Sequence, residues 1–213
     1  MSAAPATAKA QAQALQPRNA TEDAILAAAR DALAEVPYDE LRMDVIARRA
    51  FVSRTTVYFY FENKRAVVDR LIHSAFADMR EAASPYLDGA GEPRLELRLA
   101  LTRVIGVVNA NEDVLILATR LFGQGDHMPA EWEPYISRFV TDATGRIKRD
   151  QERGIAPNDI DAGISAQALC AMVERHVSMD IIRGGRQITE SVRVLSELWW
   201  RAVYSHPSRR RRS

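Results

Sequence analysis

Between Arg42 and Arg65 six basic residues stand against two acidic ones, although the whole chain of 213 residues carries a formal charge of only +1. Inside that stretch come Ser53, Arg54, Thr55, Thr56, Tyr58, Tyr60 and Lys64. These residue types suit a polyanion with readable edges: cations supply affinity for phosphates, while short polar and fork-shaped side chains address base edges. Arg54 has the fork to pair with guanine, and Thr55 and Thr56 fit a thymine methyl or a phosphate oxygen. The phenols of Tyr58 and Tyr60 suit phosphates on either side. Lys64 opens a further helix, where the dipole adds to its own attraction for an anion. Arg48 and Arg49 read equally well as an ordinary solvated basic face. Catalytic chemistry finds less support, because His73, His127, His176 and His206 are scattered without metal-ligand spacing and neither a G-x-S-x-G elbow nor a phosphate loop occurs. Neither cofactor nor metal is expected.

Positioning such a set requires short helices held at a fixed angle. The pattern predicts a helix over 43–50 that buries Val45 or Ile46 with Ala47 and Ala50, then a tight turn around Phe51 and Val52. Ser53 then caps a helix whose Val57 and Phe61, four apart, point inward. That is a helix-turn-helix, whose second helix enters the major groove of DNA. Before it, Thr21 is the expected cap of a helix with Glu22 and Asp23 in its first turn and Ile25, Leu26, Ala29, Leu33 and Ala34 on one face, ending before Pro37. After it, Asn63 caps a long helix carrying Val67, Val68, Leu71, Ile72, Ala75, Phe76 and Met79 as far as Pro85.

The remainder continues as amphipathic helices, interrupted by a loop over 123–129, by Gly154 and by Gly184-Gly185. No strand-period alternation of useful length and no internal repeat occurs, so the expected class is all-α. The expected organisation is a flexible arm over 1–19, a DNA-binding domain over 20–66, a helical domain over 67–205 and a basic tail over 206–213. With 47% hydrophobic and 27% charged residues the balance is that of a soluble globular protein. Cys170 is the single cysteine, which excludes an internal disulfide and fits a small buried apolar residue. No secretory leader and no run of roughly 18 apolar residues is found, so no membrane span is expected and the location is read as cytoplasmic.

At the helix-turn-helix the chain resembles the TetR family of bacterial transcription regulators. The family's run I-A-x-x-A-G-V-S-x-x-T-h-Y-x-h-F-x-N-K, with h apolar or aromatic, is matched by Ile46, Ala47, Ala50, Val52, Ser53, Thr56, Tyr58, Phe61, Asn63 and Lys64. The resemblance implies an N-terminal three-helix DNA-binding domain followed by a helical effector-binding and dimerisation domain. It also implies double-stranded operator DNA as partner and a homodimer built on the last two helices. Two departures stand out. The family's turn glycine is Phe51, whose strain must be relieved by a different path of the turn or recovered by packing. The usual Ser or Thr cap of the first of the two helices is Arg42, which lacks a cap hydroxyl but suits phosphate.

The C-terminal half is similar to the EthR-like repressors, on Trp132 in a helix ending at Arg153-Gly154, Met172-Val173-Glu174-Arg175, and Leu198-Trp199 with Val203-Tyr204. That similarity implies a small hydrophobic effector in a site lined by Val104, Val108, Trp132, Ile136, Phe139, Ala143, Cys170, Val173 and Trp199. Cys170 and Val173 stand where the subgroup has asparagines, implying a more apolar site. The function expected is therefore a ligand-responsive repressor. The alternative is an all-α small-molecule-binding or enzymatic protein whose helix-turn-helix is only architectural.

Overall fold

A computed structural model describes residues 19–122, 132–183 and 188–205. The expected arm apart from Asn19, the loop over 123–129, Gly184-Gly185 and the basic tail lie outside the described residues. Among the described residues the regular elements are all helical: α1 (Ala20–Glu35), a 3-10 turn (Tyr38–Glu40), α2 (Met43–Arg49), α3 (Arg54–Tyr60), α4 (Lys64–Leu87), α5 (Pro93–Ala110), α6 (Glu112–Phe122), α7 (Glu133–Glu152), α8 (Ala162–Arg183) and α9 (Ile188–Tyr204). None is long and apolar enough to cross a membrane. They form two compact units, the first reaching Ala75 and including Asp113–Leu121, the second holding Phe76–Glu112 and the chain from Phe122 onward.

In the first unit α1 packs on α2, and α2 on α3. The cap of α1 is Asn19 rather than Thr21: its Oδ1 accepts the Glu22 N–H at 2.9 Å. Asparagine caps as well as threonine, and the earlier start still leaves Glu22 and Asp23 in the first turn. Ile25, Ala29, Ile46, Ala47, Val57, Phe61, Val67 and Val68 are buried together as the sequence pattern requires, with Ile46 rather than Val45 taking the inward place. Ion pairs tie the unit across its elements. Arg70 donates to Glu22 at 2.5 Å, both nearly buried, and Arg30 grips Asp113 through two bonds of 2.7 and 3.0 Å. Asn63 caps α4 by accepting from the Ala66 N–H at 3.0 Å. The helix passes the expected stop at Pro85 and ends at Leu87. In the last turn a proline sacrifices little of the ladder, and burial of Tyr86 and Leu87 offsets it.

The second unit is organised around a buried arginine. Here α5 packs on α9, and α8 on α7 and α9. Arg146 and Asp150, four apart on α7, are both 0% exposed and joined Nε to Oδ2 at 2.7 Å. The guanidinium also donates to the carbonyl oxygens of Tyr86, Gly89 and Gly91 and, at 3.1 Å, to Glu96. The turn between α4 and α5 is thus wrapped around a single cation. Glycine is required at position 89, where a Cβ would lie 2.0 Å from the Pro85 carbonyl oxygen, whereas a Cβ on Gly91 would meet only the movable Glu96 carboxylate. Tyr204 donates to Asp150 at 2.8 Å, which leaves its oxygen to accept from Tyr86 at 3.1 Å. Burial pushes the Tyr86 phenol up to about 12 and the Tyr204 phenol higher still, so both remain neutral at neutral pH.

Removing one partner of a buried ion pair strands the other charge. Arg146→Ala should cost about 3–5 kcal/mol of stability, measured by urea denaturation. A loss below about 1 kcal/mol would mean that water reaches Asp150.

Candidate nucleic-acid interface

The interface is built on α3, only seven residues long. Ser53 caps it through a 3.0 Å bond from the Thr56 N–H to its Oγ, while Val57 and Phe61 anchor it in the core. With those two inward, Arg54, Thr55, Tyr58 and Phe59 are left exposed. Arg54 lies 5.4 Å from the Tyr58 ring centre and reaches its hydroxyl at 3.5 Å, so the pair is presented as one unit.

Other residues of the expected set are engaged within the unit. The Thr56 hydroxyl lies 2.8 Å from Ser53 Oγ and completes the cap. The Tyr60 phenol accepts from the Asn19 side chain at 3.1 Å. Lys64 donates to the carbonyl oxygens of Tyr38 and Asp39 at 2.8 and 2.9 Å, with its ammonium 4.5 Å from the Tyr38 ring centre. Arg42 occupies the cap position of α2 without a capping bond, as its side chain requires, and pairs with Asp44 at 3.1 Å. Arg49 forks onto Glu35, and that hydrogen bond and charge hold the Glu35 carboxyl below its ordinary range. Arg48 is exposed.

Phe51 follows neither expected course. Its φ is 55°, the left-handed value that the family's glycine would take, and it is 96% exposed. The turn has therefore kept its path, and the side chain recovers nothing by packing. The hydrogen bonds show why the path is kept. The Val52 N–H reaches the Ala47 carbonyl at 3.0 Å and the Phe51 N–H reaches that of Arg48 at 3.2 Å, closing the end of α2 as a Schellman motif. Phe59 joins the outward face, beyond the residues expected from the sequence. It is 78% exposed and lies four residues after Thr55, on the face opposite Val57, which helical spacing alone would have indicated.

Comparison with known proteins decides what carries this interface. The profile of bacterial regulatory proteins of the tetR family matches residues 25–71, and that of the C-terminal domain of the transcriptional regulator EthR matches residues 97–205. The chain belongs to the TetR family. It is an HTH-type transcriptional regulator of the EthR-like kind, and its helix-turn-helix is a DNA-binding element. It is 25% identical to EthR of Mycolicibacterium smegmatis over 86% of each chain. It is 30% identical to the regulator YdeS of Bacillus subtilis over 77% of this chain and 75% of that one. The fold is shared with the fatty acid degradation regulator FadR from Bacillus halodurans, at a TM-score of 0.68, 17% identity and coverage of 86% and 96%. It is also shared with SmeT in its triclosan complex, at a TM-score of 0.65, 17% identity and coverage of 88% and 93%.

The residues that the EthR-like resemblance assigns to an effector lie in the second unit of this TetR-family chain. Val104, Phe139, Cys170 and Val173 are partly buried against an apolar cluster that contains Ala143 and Trp199. Val108 is buried and Ile136 half-buried. Trp132, also buried, meets Phe76 edge-on at 5.4 Å, and Phe76 stacks on Tyr135 at 4.6 Å. Its indole N–H has no hydrogen-bond partner among the described residues.

Burial pushes the Cys170 thiol up to about 12, which keeps it protonated and unreactive at neutral pH. Alkylation of the native protein at pH 8 should run at least about a hundredfold slower than after unfolding in urea. Equal rates in a stopped-flow thiol assay would show the side chain open to solvent.

Proposed function

We propose that this TetR-family regulator is a homodimeric repressor that holds a pseudo-palindromic operator and releases it when a small apolar effector binds. The observation that carries the DNA half is the outward face of α3, where Arg54, Thr55 and Tyr58 stand exposed beside a core-anchored Val57. In this reading Arg54 and Thr55 address base edges, and Tyr58, Arg42 and Ser53 address phosphates. Thr56, Tyr60 and Lys64 act mainly by fixing the position of α3, with the remaining N–H of Lys64 available to phosphate. Cytoplasmic location follows from that role.

The effector half is supported by the apolar character of the assigned residues and by the Trp132 N–H, unpartnered among the described residues, a group that a ligand acceptor would satisfy. Two relatives in fold carry ligands with a large apolar part: SmeT in complex with triclosan and FadR from Bacillus subtilis in complex with stearoyl-CoA, whose acyl chain is apolar and whose CoA is not. The lever is α4, whose first half belongs to the DNA-binding unit and whose second half belongs to the other, joined without a break at Ala75 and Phe76. An effector weakens DNA binding by its differential affinity for two arrangements of the recognition helices. Dimerisation through α8 and α9 is supported by apolar side chains left exposed on them, Ile164 on α8 and Val194 and Leu198 on α9. The last two lie four apart and share a face.

Selection from a random duplex pool should yield a two-fold symmetric site that is lost on adding the right apolar ligand. On that site Arg54→Ala should relax base preference at one position by about 1–3 kcal/mol, while Tyr58→Phe should weaken binding to every sequence alike. Lys64→Ala should weaken binding and also lower the thermal midpoint. Anisotropy titrations in which all three match the wild type would reject the DNA assignment. For the dimer, Leu198→Glu should shift the protein to monomer in sedimentation equilibrium; an unchanged mass would move the interface elsewhere.

A further inference from the structure

Phe51 is the only non-glycine residue at positive φ among the described residues, and it is also the most exposed large apolar side chain there. Either feature alone is a cost to the fold, and the structure offers no contact in return. Its position is informative. It lies three residues before Arg54, so the two Cα atoms are within about 11 Å, at the amino end of the recognition helix. Around it the segment is strongly basic, with Arg42, Arg48, Arg54 and Arg65 exposed. A surface that combines cations with bare aromatic carbon complements a partner that is anionic and also presents apolar edges. Duplex DNA is such a partner, with phosphates beside thymine methyls and deoxyribose C–H groups. Phe59, exposed on the outward face of α3, extends the same apolar chemistry.

We propose that Phe51 is a specificity-determining contact of this regulator, its ring held out by the left-handed turn to pack against an apolar edge of the operator at the amino end of α3. The proposal rests on the DNA-binding reading above. The left-handed backbone directs the ring away from the protein core, so the geometry that strains the free protein becomes the device that presents the side chain.

The test uses the full chain and the operator selected with the wild type. Phe51→Gly removes both the strain and the ring; Phe51→Asn tolerates the left-handed backbone without the ring; Phe51→Leu keeps apolar bulk. Phe51→Gly and Phe51→Asn should both raise the thermal midpoint yet weaken operator binding, by about fivefold to a hundredfold, with Phe51→Leu between them and the wild type. A stabler protein that binds less well is an outcome that damage to the fold cannot produce. Replacing operator thymines with uracil separates the two edges. A loss seen with the wild type but not with Phe51→Gly places the ring on a methyl group, whereas the same uracil response in both proteins would overturn the specificity role, because a contact to deoxyribose carries no sequence information. Operator affinity of Phe51→Gly equal to or above the wild type would overturn the proposal. So would a loss confined to long duplexes carrying several sites, which would assign the ring to a second copy of the chain. Absence of any salt-dependent duplex binding by the wild type would overturn the DNA-binding reading itself, and this proposal with it.

Discussion

A helix of seven residues cannot hold itself in water. Nucleating its first turn fixes several residues for a single hydrogen bond, and isolated helices shorter than about a dozen residues are marginal at best. The recognition helix α3 is of that length, so its existence and angle depend on what surrounds it. Ser53 supplies the amino-terminal cap, Val57 and Phe61 the core anchors, and the closed end of α2 the direction of approach. Tyr60 ties α3 to the cap residue of α1, and Lys64 ties the start of α4, just after it, to the 3-10 turn. The recognition surface is therefore a property of the whole first unit, and a change in α1 or in the turn at Tyr38 reaches DNA without touching it.

The second unit answers a similar problem with charge. Its α4–α5 turn contains two glycines and few apolar side chains, so burial alone does not fix it. Arg146 does so by presenting fork-shaped donors to three backbone carbonyls at once, while Asp150 and Glu96 balance its charge. Desolvating such a group is expensive, and the pair adds less to stability than its geometry suggests. What it adds is definition, since no apolar side chain could hold three carbonyl oxygens in one arrangement.

Much of the architecture was legible because helical periodicity and caps are local signals. The stripe from Val67 to Met79, the cap at Ser53 and the inward pair Val57 and Phe61 are all present as spacing in the sequence. The features that escaped are those decided by long-range contact. Arg146 and Asp150, four apart on an amphipathic helix, have the pattern of a surface ion pair, and only the carbonyls brought from residues 86–91 make a buried site of them. Asn19 outcompeted Thr21 because two good caps lay two residues apart, which local preference does not separate. Pro85 was overruled by the burial of its neighbours. At the interface, the residue types of Lys64, Tyr60 and Thr56 fit DNA, while their partners at Tyr38, Asn19 and Ser53 are visible only in three dimensions.

Those internal partners also change the character of the reader. Counted along the sequence, the segment from Arg42 to Arg65 offers six cations to phosphate. In the structure Arg49 forks onto Glu35 and Lys64 donates to two carbonyl oxygens, while Arg42, still exposed, shares its charge with Asp44. Counterion release scales with the phosphates actually neutralised, so the electrostatic share of binding is smaller than the sequence charge implies. What remains outward on α3 itself is a narrow set, Arg54 with Tyr58 and Thr55, flanked by Phe51 and Phe59, with Arg48 and Arg65 exposed nearby in the sequence. Two Schellman turns among the described residues contrast in the residue that fills the left-handed position. At the end of α7 the left-handed position is filled by Gly154, at φ 70°, which takes that conformation freely. At the end of α2 the same hydrogen-bond pattern is built around a phenylalanine, at a cost of about 1–2 kcal/mol. The Phe51 ring is left in solvent at that cost, and in the proposal above the operator supplies the contact that the folded chain does not.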